Sequence, residues 1–457
     1  MMRAIMRGDG LRARILRSSG LTVVGYGTSQ VLRLASNLVL TRILFPEAFG
    51  VMALVSVFMM GLNMFSDLGI GPSIQQNKRG DDPDFLNTAW TIQVIRGGIL
   101  WAVATALAFP MAWFYNAPEL AQLLPVASLT LLITAFNPTR LETANRHLLL
   151  GRVTVIDMAT QVVGITSAVV LAWLLQSVWA LVFSGIIGAL AQLFLYNRFL
   201  PGMKNRFRWE GPAAHELIRF GKWIFLSTIA GFALSQGDRI VLGKFLPLEV
   251  LGVYNIGYFL ASFPLLLGGV VIRRVLIPLY REKPPAQSRE NFAKLQKMRF
   301  VMTGLVFSLV FVFAVSGVAL VQVMYDARYA MAGAVVVVIA VAQLPQVIVL
   351  TYDQAALAAG DSKRFFVLAA TRAALMIAGL LIGIQYFGLF GALVSQGIAM
   401  IAAYPVVVWL ARKQGAWDPL HDLVFAGIGI GLGAVAVWFN YGAIGGAVAE
   451  LSALKWP

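Results

Sequence analysis

Four arginines inside apolar stretches have the most distinctive chemistry in this sequence. Arg33 and Arg96 fall near the middle of predicted membrane spans, Arg372 lies in the cytoplasmic third of another, and Arg239 lies near the outer end of a fourth. A central arginine costs roughly 2.5–3.5 kcal/mol on membrane-insertion scales, so it needs water or an anion beside it. A guanidinium holds phosphate oxygens in a bidentate manner. These arginines therefore predict a basic cavity that binds an anion.

Each arginine also has a simpler interpretation. Arg33 and Arg96 could pair with backbone carbonyls or neighbouring acids and serve packing alone. Arg239 and Arg372 lie closer to the ends of their spans, and their long stems could carry the charge to the membrane surface. Both alternatives stay open at the level of sequence.

Polar residues recur on one face of the first predicted span. Tyr26, Gln30, Arg33, Asn37 and Thr41 are spaced by four, three, four and four residues, which places them on one helical stripe. We expect this stripe to line a wet cavity. Tyr26, Gln30 and Asn37 therefore join the arginines in the predicted substrate-binding set. Hydrogen bonding between helices in a dry bundle is the alternative.

Carboxylates near the ends of spans are the candidates for coupling to an ion gradient. Asp67 and Asp238 are the two residues considered for that role, and no other feature of the sequence supports it. Asp238 directly precedes Arg239, so a local ion pair is expected there. An exporter of organic cations would need a carboxylate at mid-membrane, and the sequence places none there.

Metal and cofactor chemistry is not expected. The chain contains no cysteine, which excludes disulfides, thiolate metal ligands and cysteine nucleophiles. The glycine-rich run 427–433 lies inside a span, where it predicts close helix packing rather than dinucleotide binding. The three histidines are expected in separate loops: His147, His215 and His421. We predict no catalytic residue, no metal site and no cofactor.

Membrane-spanning helices must position these side chains. Of the 457 residues, 59% are apolar and 12% are charged, whereas soluble domains average about 45–50% and about 25%. A span needs roughly 20 mostly apolar residues. The sequence predicts an all-α polytopic membrane protein with twelve spans and one or two more at the C-terminus. The predicted spans lie near 20–44, 49–72, 86–109, 120–140, 153–175, 178–197, 220–243, 249–272, 299–322, 332–352, 365–385, 388–410 and 421–439.

Basic residues orient these spans. With a cytoplasmic N-terminus, 28 of the 36 lysines and arginines fall in cytoplasmic segments, four lie inside spans and one lies in the C-terminal tail. The external loops hold Arg42, Lys244 and Arg328. This asymmetry is the positive-inside pattern. It also accounts for the net charge of +15 without a nucleic-acid partner.

A repeated stretch divides the chain into two halves. The sequence VLTRILFPEAFGV at 39–51 returns as VLGKFLPLEVLGV at 241–253. An even number of predicted spans separates the copies, so both point the same way across the membrane. We expect two parallel six-helix lobes with a substrate path between them. The predicted boundaries are a basic N-terminal segment 1–19, an N-lobe 20–200, a cytoplasmic linker 201–219, a C-lobe 220–411 and extra C-terminal helices in 412–457.

The stretch LASNLVLTRILFPEAFGVMALVSVFMMGLNMFSDLGIGPSIQQ at 34–76 resembles the N-terminal region of polysaccharide-type (Wzx-like) flippases. These proteins belong to the multidrug/oligosaccharidyl-lipid/polysaccharide (MOP) superfamily. The most specific part is the run from Arg42 to Val51, followed by DLGI at 67–70. The stretch GDRIVLGKFLPLEVLGVYNIGYFLA at 237–261 is also similar to that family. The resemblance implies a MATE-like fold of two lobes with a cationic cavity.

The resemblance also implies a function and partners. It implies a transporter that flips an undecaprenyl-pyrophosphate-linked oligosaccharide across the bacterial inner membrane by alternating access, for surface polysaccharide biosynthesis. The arginines match no family motif individually, so their role rests on the residues themselves. The expected partners are the lipid-linked oligosaccharide and membrane lipids. We expect a monomer, and association with polysaccharide assembly proteins stays open.

Three other functions remain as alternatives. A lipid II-type flippase and a MATE-like ion-coupled small-molecule exporter would share the fold. A membrane enzyme that polymerises or ligates sugars would usually need a large external loop with catalytic groups. The predicted external loops are all short, so an enzyme is not expected.

Overall fold

The computed structural model describes residues 11–453 apart from 148 and 360, and within that range the side chains of 11–24, 26, 150, 219–227, 230, 357, 362 and 452–453 are not described. A 3-10 turn at Ala327–Tyr329 precedes the thirteenth helix. The described helices are α1 (Leu11–Ile43), α2 (Pro46–Phe65), α3 (Ile70–Gln76), α4 (Pro83–Tyr115), α5 (Leu120–Ala127), α6 (Leu129–Ala135), α7 (Arg140–Arg146), α8 (Leu150–Leu175), α9 (Trp179–Phe199), α10 (Gly211–Phe245), α11 (Leu248–Glu282), α12 (Arg289–Met324), α13 (Met331–Ala358), α14 (Ser362–Ala402), α15 (Tyr404–Lys413), α16 (Pro419–Phe439) and α17 (Tyr441–Ala453).

Aspartate and proline residues set where several helices begin. Pro83 occupies the first turn of α4, and the Asp82 side chain accepts the backbone N–H of Asp84 at 2.9 Å. Asp361 accepts the backbone N–H of Arg364 at the start of α14. Such an acceptor satisfies an N–H that has no partner within its own helix.

The chain is a multi-pass membrane protein. Among the described residues, nine helical segments are long and apolar enough to cross a membrane, and the pair Leu120–Ala135 and Arg140–Arg146, bent by 59°, could form a tenth. Predicted spans 11 and 12 fall together in one of these segments, Lys363–Lys413. Helices α1 and α10 correspond to predicted spans 1 and 7 but are not among the nine. They contain Arg33 and Arg239, respectively.

The chain divides into two compact units, Met1–Ile229 and Ala230–Pro457. In the first unit, α8 packs against α1 and α9, and α4 packs against α5 and α6. A Cβ atom added at Gly97 on α4 would lie 2.3 Å from the Cβ atom of Ala135 on α6. Only glycine permits this close approach of the two helices.

The second unit is built around α13. This helix packs against α11, α12 and α14. Within the segment Ala327–Ala356, 67% of the most apolar stretch is buried. Two glycines of the run 427–433 pack closely: a Cβ atom at Gly429 would lie 3.3 Å from the ring of Phe307 on α12, and one at Gly433 would lie 3.2 Å from Val341 on α13. A Cβ atom at Gly427 or Gly431 would meet no atom within 4 Å, so the predicted close packing holds for part of the run. The core is therefore continuous from α11 to α16.

Helix α14 is a helical hairpin whose turn is a single residue. Gly388 has φ 64° and ψ −159°, a combination that is open almost only to glycine. The two arms touch beside the turn. A Cβ atom at Gly391 would lie 2.2 Å from the Cβ of Phe387, and one at Gly383 would lie 2.5 Å from the carbonyl oxygen of Gly391.

Two expectations about segments outside the spans are wrong. The segment 273–298, which the predicted spans leave as a connection, is largely helical, because α11 continues to Glu282 and α12 begins at Arg289. Arg299, the first residue of the next predicted span, is 1% exposed within α12. His215 and His421 lie in α10 and α16 rather than in loops. Hydropathy marks only where the apolar part of a helix ends, and these helices continue into the polar residues beyond it.

Candidate functional site

Arg96 lies on α4 beside the C-terminal end of α2. Its Nε atom donates to Oγ of Ser66 at 2.9 Å, and its Nη2 atom donates to the backbone carbonyl of Asn63 at 3.0 Å. Nη2 also donates to the side-chain oxygen of Asn63. Among the described residues no carboxylate forms an ion pair with Arg96, and Nη1 makes no hydrogen bond. The charge is thus positioned by neutral groups, with one amino group remaining for a ligand.

A pocket of about 190 Å³ lies at this guanidinium. Gln93 fixes one wall, because its Nε2 atom donates to the carbonyl oxygens of Ala135 at 2.8 Å and Asn137 at 3.2 Å. The pocket combines a cation with amide and hydroxyl groups, and such a set can hold an oxyanion. Its lining residues are Asn63, Gln93, Arg96, Gly97, Leu100, Leu131, Thr134 and Ala135.

The predicted polar stripe lies on α1. Arg33 is exposed, and Gln30 and Asn37 are half-buried. The side chain of Tyr26 lies outside the described part of the structure. Helix α1 is held against α8, where Nε2 of Gln161 donates to the carbonyl oxygen of Ser29 at 2.8 Å. Arg96 forms its hydrogen bonds with Asn63 and Ser66, at the end of α2. No described contact joins Arg33 to Arg96, and a shared role for them stays a prediction.

The prediction that Asp238 and Arg239 form an ion pair is wrong. Asp238 is 3% exposed and accepts a hydrogen bond from the hydroxyl of Tyr254. Arg239 donates from Nε to Oδ1 of Asn255 at 3.0 Å, and its guanidinium lies 4.8 Å from the ring centre of Tyr258. Neighbouring residues on a helix point about 100° apart, so sequence adjacency did not bring the two charges together.

Arg372 forms a buried ion pair with Asp353. Nη1 of Arg372 lies 2.8 Å from Oδ2 of Asp353, and the two side chains are 10% and 15% exposed. The Nε and Nη2 atoms of Arg372 and Oδ1 of Asp353 are buried without a hydrogen-bond partner among the described residues. The alternative that Arg372 reaches the membrane surface is therefore wrong, because its charge is inside the second unit.

Asp67 has a local structural contact. Its Oδ1 atom accepts the backbone N–H of Gly69 at 2.9 Å, in the turn between α2 and α3. Gly69 has φ 62°, and the carboxylate stabilises that turn. The proposed role of Asp67 in ion coupling stays a prediction.

Sequence reasoning missed a buried polar network at the start of α16. The ring of His421 contacts Oγ1 of Thr303 and Oδ1 of Asp422, each at 2.9 Å. Asp422 also accepts hydrogen bonds from the hydroxyls of Tyr352 at 2.8 Å and Tyr404 at 2.6 Å. The network joins α12, α13, α15 and α16. The only sequence signal was two titratable residues, His421 and Asp422, at the polar end of an apolar stretch.

A family model described as "polysaccharide biosynthesis protein" matches residues 39–334. A curated relative, the lipopolysaccharide biosynthesis protein WzxC of Escherichia coli (strain K12), is 26% identical over 284 residues, which cover 60% of this chain and 55% of the relative. The chain thus spans little more than half the length of this curated relative.

Solved structures with the same fold include two membrane transporters. One is the lipid II flippase MurJ in an inward closed conformation, with a TM-score of 0.67 at 13% identity, covering 93% of this chain and 99% of MurJ. The other is an inward-facing multidrug resistance MATE family transporter of the MOP superfamily, with a TM-score of 0.62 at 15% identity, covering 85% of this chain and 95% of the transporter. The predicted helical, MATE-like fold class is therefore confirmed. Because the family model matches residues 39–334, more than half of the chain, the chain belongs to the polysaccharide biosynthesis protein family.

Proposed function

We propose that this protein flips an undecaprenyl-pyrophosphate-linked oligosaccharide from the cytoplasmic to the external face of the bacterial inner membrane. The family match and the lipopolysaccharide relative support a role in surface polysaccharide biosynthesis. The likeness to a lipid II flippase supports a fold suited to a lipid-linked sugar. We propose transport by alternating access, with a cytoplasmic N-terminus, and no enzymatic step.

The Arg96 pocket is the observation that carries this proposal. A pyrophosphate has many acceptor oxygens, and Arg96 offers an Nη1 amino group that no described residue occupies. Ser66 and Asn63 hold the other donors of the guanidinium, so the ligand does not have to order a flexible side chain. An exporter of organic cations would gain nothing from a positive charge there. The charge therefore favours an anionic substrate over a cationic one.

The other predicted residues complete the proposed substrate-binding set. Arg33, with Gln30, Asn37 and Tyr26 on α1, is proposed to contact the substrate in the first unit. Arg239 is proposed to contribute from the second unit, where its guanidinium is hydrogen-bonded to the neutral side chains of Asn255 and Gln236. Arg372 is paired with Asp353, so we propose that it contributes only while that pair is broken. Coupling to an ion gradient through Asp67 or Asp238 is proposed as the alternative to an uncoupled cycle.

The partners follow from this function. They are the lipid-linked oligosaccharide and the surrounding membrane lipids, with no nucleic acid. We propose that the protein acts as a monomer and passes its substrate on to polysaccharide assembly proteins.

The test measures the lipid-linked oligosaccharide pool in cells that lack the gene and carry a plasmid copy. We expect glycan linked to undecaprenyl pyrophosphate to accumulate on the cytoplasmic side of cells without the protein, with loss of surface polysaccharide. Arg96→Ala should fail to restore surface polysaccharide at wild-type expression. Gln122→Ala, outside the pocket, is the matched control. Unchanged pools in the deletion strain would refute the function, whereas full rescue by Arg96→Ala would refute only the pocket.

A further inference from the structure

The segment 203–209 connects α9 to α10 without regular secondary structure and lies along α4. Three side chains of α4 accept alternate backbone N–H groups of this part of the chain. Asn87 accepts from residue 206 at 2.9 Å, Thr91 from residue 208 at 3.0 Å, and Thr88 from residue 210 at 3.1 Å. All three acceptors are buried. The segment is thus fixed on α4 along one edge of its backbone.

The same segment is also fixed at its start. Asn205 exchanges two hydrogen bonds with Thr139: it accepts the backbone N–H at 3.0 Å and donates to the hydroxyl at 2.8 Å. Arg140 is buried, and its Nη1 atom donates to the carbonyl oxygen of Leu200 at 2.9 Å. The exposed side chains of the segment are therefore presented from a fixed backbone.

The exposed side chains of the segment are aromatic and basic. Phe207 is 65% exposed and its ring centre lies 4.9 Å from that of Trp90 on α4, and Trp209 is 57% exposed. Lys204 and Arg206, which precede the two rings in the chain, are also exposed, and no ion pair among the described residues neutralises either cation. Arg208 differs, because its Nη2 atom pairs with Asp84 at 2.8 Å. The segment thus presents two cations without an ion pair, followed by two exposed rings.

We propose that Lys204, Arg206, Phe207 and Trp209 form a binding surface for anionic phospholipid headgroups of the inner leaflet. Lysine and arginine next to a cytoplasmic membrane surface attract its anionic lipids. Aromatic rings are stable at the boundary between headgroups and acyl chains. A soluble acidic protein could satisfy the cations, but it would give the two exposed rings no membrane boundary to enter. The surface requires the cytoplasmic orientation proposed above and is independent of which lipid the protein transports.

Because the chain has no cysteine, Trp209→Cys gives a unique position for a nitroxide label. The labelled full-length protein is reconstituted in phosphatidylcholine liposomes with and without phosphatidylglycerol. We expect the label to collide more often with oxygen than with a water-soluble nickel chelate, and more so when phosphatidylglycerol is present. A label that is more accessible to the chelate in both membranes would overturn the proposal.

The role of the cations is tested by counting bound lipids in native mass spectrometry of the purified protein. Lys204→Gln with Arg206→Gln should weaken retention of phosphatidylglycerol by roughly fivefold for each charge removed, and leave phosphatidylcholine unchanged. Lys297→Gln with Lys413→Gln removes two exposed charges elsewhere and serves as the matched control. Equal phosphatidylglycerol retention in both double variants would overturn the assignment of the surface. So would retention of a co-purified soluble protein that is lost together with the two cations.

Discussion

Oγ1 of Thr303 on α12 lies 2.9 Å from Nε2 of His421 on α16. Neither side chain is exposed. The other ring nitrogen of His421 contacts Asp422, which is itself hydrogen-bonded to tyrosines of α13 and α15. A histidine with both nitrogens occupied has one fixed orientation. It fastens the start of α16 to the core of the second unit.

Replacing His421 should therefore weaken this attachment. His421→Leu leaves the buried hydroxyl of Thr303 without its His421 partner and removes one of the hydrogen bonds of Asp422, and we expect a loss of about 1–3 kcal/mol in the free energy of unfolding. The measurement is unfolding of the purified protein in detergent, followed by tryptophan fluorescence. His215→Leu changes an exposed histidine of α10 and should stay within about 0.5 kcal/mol of wild type. Equal stability of the two variants would show that the network does not anchor α16.

The buried pair of Arg372 and Asp353 should respond differently to single and double changes. Arg372→Met leaves Asp353 charged and unpaired, and we expect a loss of about 3 kcal/mol or more in unfolding free energy. Adding Asp353→Leu removes the remaining charge and should restore much of that loss. The pair Arg328 and Asp326, which is about one-third exposed on both sides, is the control. Breaking it should cost less than about 1 kcal/mol. A double variant as unstable as Arg372→Met would contradict this explanation.

Asp361 should make part of the stability depend on pH. The guanidinium of Arg364 donates to its carboxylate and holds the pKa of Asp361 below its usual range, and the backbone N–H of Arg364 adds to that effect. A depressed folded-state pKa contributes stability above the unfolded value of about 3.9. That stability is lost as pH falls through the folded-state pKa.

We therefore expect Asp361→Ala to cost about 1 kcal/mol at neutral pH, as for other helix caps. The difference from wild type should narrow when unfolding is measured below about pH 3.9. Glu119→Gln changes an acidic residue that makes no capping hydrogen bond and should show no such convergence. A difference that is constant with pH would exclude the charged form of Asp361 as the source of the stability.

The helical class and membrane placement could be predicted because both follow from local composition. A long apolar run has few alternatives to a membrane helix. The expectation that Arg96 needs polar neighbours followed from the free-energy cost of placing an arginine in the middle of a membrane span. Which partners it takes depends on tertiary packing. Asn63 and Ser66 stand out as polar residues at the end of the preceding predicted span, but the sequence does not say that they meet Arg96.

Adjacency in sequence was a poor guide to pairing. Asp238 and Arg239 are neighbours, yet each bonds to a residue of α11. Asp353 and Arg372, which the sequence places in different spans, form the buried pair. Pairing within a helical bundle is decided by which faces meet, and that information is distributed over whole helices.

The single-residue turn at Gly388 has a mechanical consequence. The arms of α14 touch at Gly383 and Gly391 and have no connecting loop that could lengthen. They cannot slide past each other or splay without breaking contacts between their backbones. A displacement of one arm is therefore transmitted directly to the other. During the proposed transport cycle, the two arms of α14 should move together as one rigid unit.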